Sequence, residues 1–236
     1  MSALAGLEIV LAGGSGGLGS AVARLLAGEG ARLTISYCSR AGRAAQLQDL
    51  GRIVQADLTR GDDRRALLDA APGLYGLVVF AGDPARGAGV EAAMERSWRV
   101  NYEGPVLLAR EAAERMKAAG TPGAIVLFST MQAAALFPGS TVYAGPKAAL
   151  VHAARILAKE CRGPANIRVN VVSPGVTAAG MAEASIAAGK YERFLAEGIV
   201  ARYGQAADVA RAVRFFLEPD NYVTGQALAV DGGITL

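Results

Sequence analysis

Short apolar runs alternate with amphipathic stretches from one end of the chain to the other. Residues 8–12, 31–37, 53–55, 75–80, 124–129, 167–172 and 227–230 are brief, apolar and rich in β-branched residues, which predicts strands. Between them, 17–29, 41–50, 62–71, 98–119, 141–162 and 206–217 carry apolar positions at helical spacing. The strands read as continuously hydrophobic, not alternating. Strands of that kind, each followed by a helix, predict an α/β fold: a doubly wound parallel sheet of about seven strands with helices on both faces. Such sheets bind ligands beyond the carboxyl ends of their strands, where the winding reverses. Candidate chemistry should therefore follow strands, and it does: Asp57 after the third, Ala81–Gly82 after the fourth, Ser129–Thr130 after the fifth, Pro174–Gly175 after the sixth.

Composition narrows the class. The chain has 236 residues, 52% of them hydrophobic, enough to bury a full core. No Pro/Ser-rich linker or composition shift divides it, so a single domain over 1–236 is expected. The net charge of +3 comes from scattered arginines such as Arg24, Arg65, Arg168 and Arg211, not from a basic run interleaved with aromatics, which argues against nucleic-acid binding. Cys38 and Cys161 are too few for a disulfide framework and lack metal-ligand spacing; no metal is expected. No basic leader and no apolar run of about 18 residues is present, so the expectation is a soluble, cytoplasmic protein without a membrane partner. The single histidine, His152, lies nine residues beyond Tyr143, about two and a half helical turns, and so points away from it, which argues against a Ser-His-Asp hydrolase.

Two motifs carry chemistry. The first strand runs straight into Gly13, Gly14, Gly16, Gly17 and Gly19, and Leu18, Val22, Leu25 and Leu26 then recur at helical spacing. Glycines in a strand-to-helix turn let backbone N–H groups approach a diphosphate at the positive end of the helix. This turn predicts dinucleotide binding on a Rossmann-like sheet. About 130 residues downstream, YAGPK places Tyr143 and Lys147 one helical turn apart on one face. An ammonium near a phenol favours the phenolate, so the pair predicts a tyrosine with a lowered pKa that exchanges a proton with an alcohol or carbonyl oxygen.

With these motifs in this order, the chain resembles the short-chain dehydrogenase/reductases of the compact, single-domain type, over nearly its whole length. Gly13, Gly17 and Gly19 match the glycine motif, with Ala12 where threonine is usual. Asp57, in ADL, matches the acidic residue that meets the adenine. Asn101, in WRVNYEGP, matches the helix asparagine. Tyr143 and Lys147 match YxxxK, NVVSPG (170–175) matches the segment beside the nicotinamide, and VTGQALAVDGG matches the last strand. The resemblance implies hydride transfer between a nicotinamide and an alcohol or carbonyl carbon. Tyr143 would be the acid or base, Lys147 would stabilise the phenolate and bind the nicotinamide ribose, and Asn101 would hold a water relaying protons toward Lys147. The implied catalytic set is Asn101, Thr130, Tyr143 and Lys147. The implied cofactor set is Gly13, Ser15, Gly16, Gly17, Leu18, Gly19, Ser39, Arg40, Asp57, Leu58, Ala81, Gly82, Asn101, Tyr143, Lys147, Pro174, Gly175 and Thr177.

Departures from the family pattern shape the remaining expectations. Thirteen residues before Tyr143, where the family has serine, stands Thr130, with Ser129 just before it. Adjacent strand residues face opposite ways, so one of the two supplies the hydroxyl, and Thr130 is favoured. Val79-Phe80 replaces the two asparagines that usually precede Ala-Gly, and Phe80 is expected to fill that volume with apolar packing. Pro146 falls inside the predicted helix and threatens a kink between Tyr143 and Lys147. Thr177 arrives early in the PGxxxT segment, leaving Ala179 at the expected place. At the end of the second strand, Ser39 and Arg40, with Arg43 a turn on, stand where an acidic residue would repel a 2′-phosphate, which favours NADP(H) over NAD(H). Residues 176–204, with Met181, Ile186, Tyr191 and Phe194, are expected to form a lid for a carbonyl or alcohol substrate that is not highly charged. The function expected is an NADPH-dependent ketone or 3-oxoacyl-type reductase; the alternative is a non-catalytic dinucleotide-binding sensor or scaffold. The small apolar residues of 98–119 and 141–162 suggest a homotetramer or homodimer.

Overall fold

The computed structural model describes residues 2–85, 87 and 89–236. Seven strands form one sheet: β1 (Glu8–Ala12), β2 (Arg32–Tyr37), β3 (Gly51–Gln55), β4 (Leu74–Val79), β5 (Gly123–Phe128), β6 (Ile167–Pro174) and β7 (Ala227–Val230). Their order is β3-β2-β1-β4-β5-β6-β7, and every neighbouring pair is parallel. The winding reverses between β1 and β4, which sets the ligand crevice there.

Successive strand residues feed opposite cores, because their side chains alternate across the sheet. Val10, Leu77, Val79, Ile125 and Val169 meet α3 (Gly61–Asp69), α5 (Gly104–Ala119) and α6 (Thr141–Glu160) through Leu67, Leu108, Ala112, Leu150 and Leu157. Ile9, Leu11, Ile35, Val78 and Val126 meet α1 (Gly17–Gly28) and α9 (Ala206–Leu217) through Val22, Leu26, Val213 and Phe216. With both faces covered, the central strands are uniformly apolar. One buried cation braces the far edge. Arg168 on β6 donates to the carbonyls of Phe216 (2.7 Å) and Glu218 (2.9 Å) at the end of α9, and to the Tyr75 hydroxyl (3.2 Å), which itself donates to the Leu217 carbonyl (2.8 Å). A guanidinium here satisfies orphan carbonyls at the negative end of the helix.

The predicted strand bounds hold within two residues. The helical differences are larger. The 41–50 stretch is α2 (Ala41–Ala45) followed by a 3₁₀ turn at Gln48–Leu50, and the stretch expected to begin at 98 begins earlier, as α4 (Val90–Trp98). Between α4 and α5, Arg99–Glu103 is a single π turn containing Asn101. Segment 176–204 holds a 3₁₀ turn (Gly180–Ala182), α7 (Glu183–Ala187) and α8 (Glu192–Ala196). Among the described residues, no helix is long and apolar enough to cross a membrane.

Candidate active site

A continuous cavity of about 1540 Å³ lies over the carboxyl ends of the strands. The glycine turn, the end of β2, Asp57, Thr130, Tyr143, Lys147 and the Pro174–Thr177 segment all line it. Its volume leaves room for a dinucleotide and a small substrate together.

The glycine turn is built for close approach. Gly13 adopts φ +75, a conformation that side chains disfavour, and the Ser36 hydroxyl accepts its N–H at 2.9 Å. A Cβ on Gly19 would lie 2.5 Å from the Gly14 carbonyl oxygen, and one on Gly17 would lie 2.5 Å from the Gly180 nitrogen. The helix N-cap, Gly16, offers no side chain to the first-turn amides of α1, so they face the cavity free to meet an anion. Beside the turn, just past the end of β2, Ser39, Arg40 and Arg43 are exposed on the cavity wall, and neither arginine has a carboxylate partner among the described residues. Asp57 is steadied by Thr59, whose N–H and hydroxyl donate to its Oδ1 at 2.9 and 2.8 Å. Its own N–H donates to Asp63. Leu58 packs below it, and its carbonyl accepts from Arg64 at 2.9 Å. A dinucleotide therefore fits the residues present.

At the reacting end the two candidate hydroxyls separate. Ser129 is buried and donates to the Lys147 carbonyl at 3.0 Å. Thr130 turns toward the cavity, near enough to the Tyr143 phenol to oppose the rise of its pKa, and accepts the Gln132 N–H at 3.3 Å. Lys147 is 2% exposed, and its Nζ donates to the carbonyls of Phe128 (2.8 Å) and Ala81 (3.0 Å). Burial without a counter-charge lowers its pKa from 10.5 to about 7. The expected lowering of the Tyr143 pKa is not found. Burial pushes the phenol up to about 12, Thr130 opposes this in part, and Tyr191 adds to it. Spacing brought the amine to the right helix face, but the amine is directed at two backbone carbonyls and is half neutral near pH 7, so it exerts little pull on the phenol.

Asn101 is completely buried in the π turn. Its Oδ1 accepts the Asp83 N–H (3.0 Å), while its Nδ2 donates to the Asp83 carbonyl (2.9 Å) and the Ser97 hydroxyl (2.9 Å). The amide thus fixes the loop that carries Ala81 and Gly82. Phe80 fills the place of the family's asparagine by packing on Phe128, ring centroids 4.5 Å apart. Pro146 does not break α6, which runs unbroken from Thr141 to Glu160. Thr177 is buried, its hydroxyl on the Gly175 carbonyl (3.3 Å), and Ala179 adds no hydroxyl to the wall. The lid segment divides by role: Phe194, Val200 and Ile186 pack with Met131, Val176 and Phe137, whereas Met181, Ser185, Lys190 and Tyr191 line the cavity. Sequence reasoning missed Ser97 and Asp83, which lay outside every motif, and Lys190. Among the described residues, no group of three or more His, Cys, Asp or Glu side chains could hold a metal.

A phenol and a hydroxyl converging at one end of a dinucleotide-sized crevice define an NAD(P)-dependent oxidoreductase that works between carbonyl and alcohol. Comparison with known proteins agrees. The model of the family described as enoyl-(acyl carrier protein) reductase matches residues 12–235. An uncharacterized oxidoreductase of Methylorubrum extorquens is 37% identical over 251 residues, covering 99% of this chain and 100% of its own. The NADPH-dependent aldehyde reductase-like protein, chloroplastic, of Arabidopsis thaliana is 33% identical, covering 98% of this chain and 94% of its own. The structure of a short chain dehydrogenase/reductase family protein superposes with a TM-score of 0.87 at 35% identity, covering 98% of each chain. The chain belongs to the short-chain dehydrogenase/reductase family.

Proposed function

We propose that this protein is an NADPH-dependent reductase of aldehydes, ketones or 3-oxoacyl-type carbonyls, with Tyr143 as the proton donor. The observation that carries the reading is geometric: the Tyr143 phenol and Thr130 line the same cavity as the glycine turn, and burial, which pushes the phenol up to about 12, favours its protonated form. A phenol that keeps its proton at neutral pH suits delivery of that proton to a carbonyl oxygen, the reducing direction. The Thr130 hydroxyl is placed to donate to the same oxygen. A bound nicotinamide would supply the hydride. Gly13, Ser15, Gly16, Gly17, Leu18 and Gly19 would hold the diphosphate, and Asp57 with Leu58 the adenine. Ala81, Gly82 and Lys147 would hold the nicotinamide ribose, and Pro174, Gly175 and Thr177 the ring. Asn101 acts by fixing the Ala81–Gly82 loop through Asp83.

The preference for NADPH rests on Ser39, Arg40 and Arg43. A neutral hydroxyl and two free guanidinium groups suit a 2′-phosphate, and no carboxylate of the β2 end opposes it. The Arabidopsis relative's name points the same way. The test is cofactor oxidation across aldehydes, ketones and 3-oxoacyl thioesters. Turnover with NADPH at least about tenfold more efficient than with NADH is expected, a gap of about 1.4 kcal/mol. Paired Arg40→Ala and Arg43→Ala changes should erase that preference by raising the KM for NADPH. Equal or better turnover with NADH defeats the cofactor assignment. NADPH binding with no turnover on any carbonyl class favours the sensor reading.

A further inference from the structure

Pro146 sits in the second turn of α6, between Tyr143 and Lys147, and has no N–H. In a regular helix that N–H would go to the carbonyl four residues back, Val142. The Val142 carbonyl, one residue before the phenol, is thus left without its partner. It does not go unmet. The Ser97 hydroxyl, on the last turn of α4 and completely buried, donates to it at 2.6 Å. That hydroxyl has one proton, given to Val142, and its lone pair takes the second Nδ2 proton of Asn101 at 2.9 Å. The chain of donors therefore runs Asn101 to Ser97 to Val142, with every proton accounted for. More than one turn further along α6, Ser129 donates to the Lys147 carbonyl. Of the two, only the Ser97 bond meets the carbonyl that Pro146 leaves without an amide.

We propose that Ser97 is a positioning residue for Tyr143: its hydroxyl replaces the backbone amide removed by Pro146 and anchors the phenol-bearing turn of α6 to α4. As a statement about turnover this rests on the reductase reading above; as a statement about the helix it does not. Loss of the anchor frees the turn to shift, and a proton donor displaced by a fraction of an ångström lowers turnover more than it lowers binding. The proposal also requires that the need for Ser97 vanish once residue 146 has an N–H of its own.

A four-corner cycle with Ser97→Ala and Pro146→Ala tests this. Ser97→Ala also strips Asn101 of one acceptor, but that cost falls equally in both backgrounds and cancels in the comparison. Ser97→Ala alone should lower kcat about tenfold while the carbonyl KM stays within about twofold. Beside Pro146→Ala the same change should cost at least five times less. Equal costs in the two backgrounds overturn the proposal. Amide hydrogen exchange over 141–147 provides a second readout that needs no substrate: Ser97→Ala should speed it, and Pro146→Ala should reverse that gain, with 150–160 unmoved. Failure of all turnover would sink the reductase reading and leave this exchange test standing; unchanged exchange would sink the anchor alone. Should Ser97→Ala not fold, Ser97→Cys, which keeps roughly the volume and weakens the donor, carries the same cycle and the same outcomes.

Discussion

Lys147 and Tyr143 show how far residue identity and spacing reach. The i, i+4 interval was enough to predict one shared helix face. It was silent on burial, and burial decides both titrations: Lys147 falls to about 7 and Tyr143 rises to about 12. Between pH 7 and 10.5 the unfolded chain holds a proton on this lysine that the folded chain has shed, so the unfolded state binds more protons and stability rises with pH through that window. Relative to Lys147→Met, the wild-type melting temperature should therefore climb from pH 7 to pH 9.5 and lie parallel to the variant's below pH 6.5. A constant difference across the whole range would contradict a neutral buried amine. Between Thr130 and Ser129, the sequence favours Thr130, and the buried Ser129 hydroxyl is committed to the Lys147 carbonyl. Thr130→Val should cut kcat by about 10²-fold through loss of one oriented donor, and Ser129→Ala should act mainly on stability, as the loss of a single buried hydrogen bond of about 1 kcal/mol.

At the scale of elements, the strands were legible because uniformly apolar runs are what a doubly covered parallel sheet requires. Helix α4 was not, for a specific reason. Its large apolar residues Val90, Met94 and Trp98 face outward (69, 55 and 46% exposed), while the buried positions are the small Ala93 and Ser97. The hydrophobic pattern thus marks the wrong face. Nor does any residue type announce the π turn at Arg99–Glu103, which inserts one extra residue and turns Asn101 inward. The glycine turn was legible as chemistry but not as packing: Gly17 meets Gly180 of the lid segment, a contact between residues far apart in sequence. Gly17→Ala should force the two apart, weaken NADPH binding by about tenfold or more, and lower the melting temperature. Titration of cofactor fluorescence measures the first and calorimetry the second, and wild-type affinity would show that the turn has slack.

For the whole molecule, a doubly wound parallel sheet of about seven strands and a site beyond their carboxyl ends followed from strand-helix alternation; the strand order, and with it the reversal between β1 and β4, is read from the structure. The brace at the far edge did not. Arg168 lies in an apolar strand with no acidic partner to flag it, yet it holds α9 to β6 and β4 through three acceptors. Arg168→Met should destabilise the fold by about 3 kcal/mol, because two carbonyls at the end of α9 and the Tyr75 hydroxyl lose a charged donor. Chemical denaturation measures this, and a change below about 1 kcal/mol would assign the brace a minor role. The exposed stripe of α4 and the exposed strand β7 (Leu228 39%) leave apolar surface at two places on the molecule. A dimer or tetramer is expected by light scattering, at two or four times the chain mass; a monomer at micromolar concentration would contradict that expectation.

The central claim is that the Tyr143 phenol delivers a proton over a bound dinucleotide. Single-turnover oxidation of NADPH by wild type and Tyr143→Phe, with NADPH affinity measured on the same samples, tests it most directly. The variant should bind NADPH within about threefold of wild type and lose about 10³-fold or more in the rate of carbonyl reduction. A variant that binds the cofactor and reduces the carbonyl at the wild-type rate would contradict the claim.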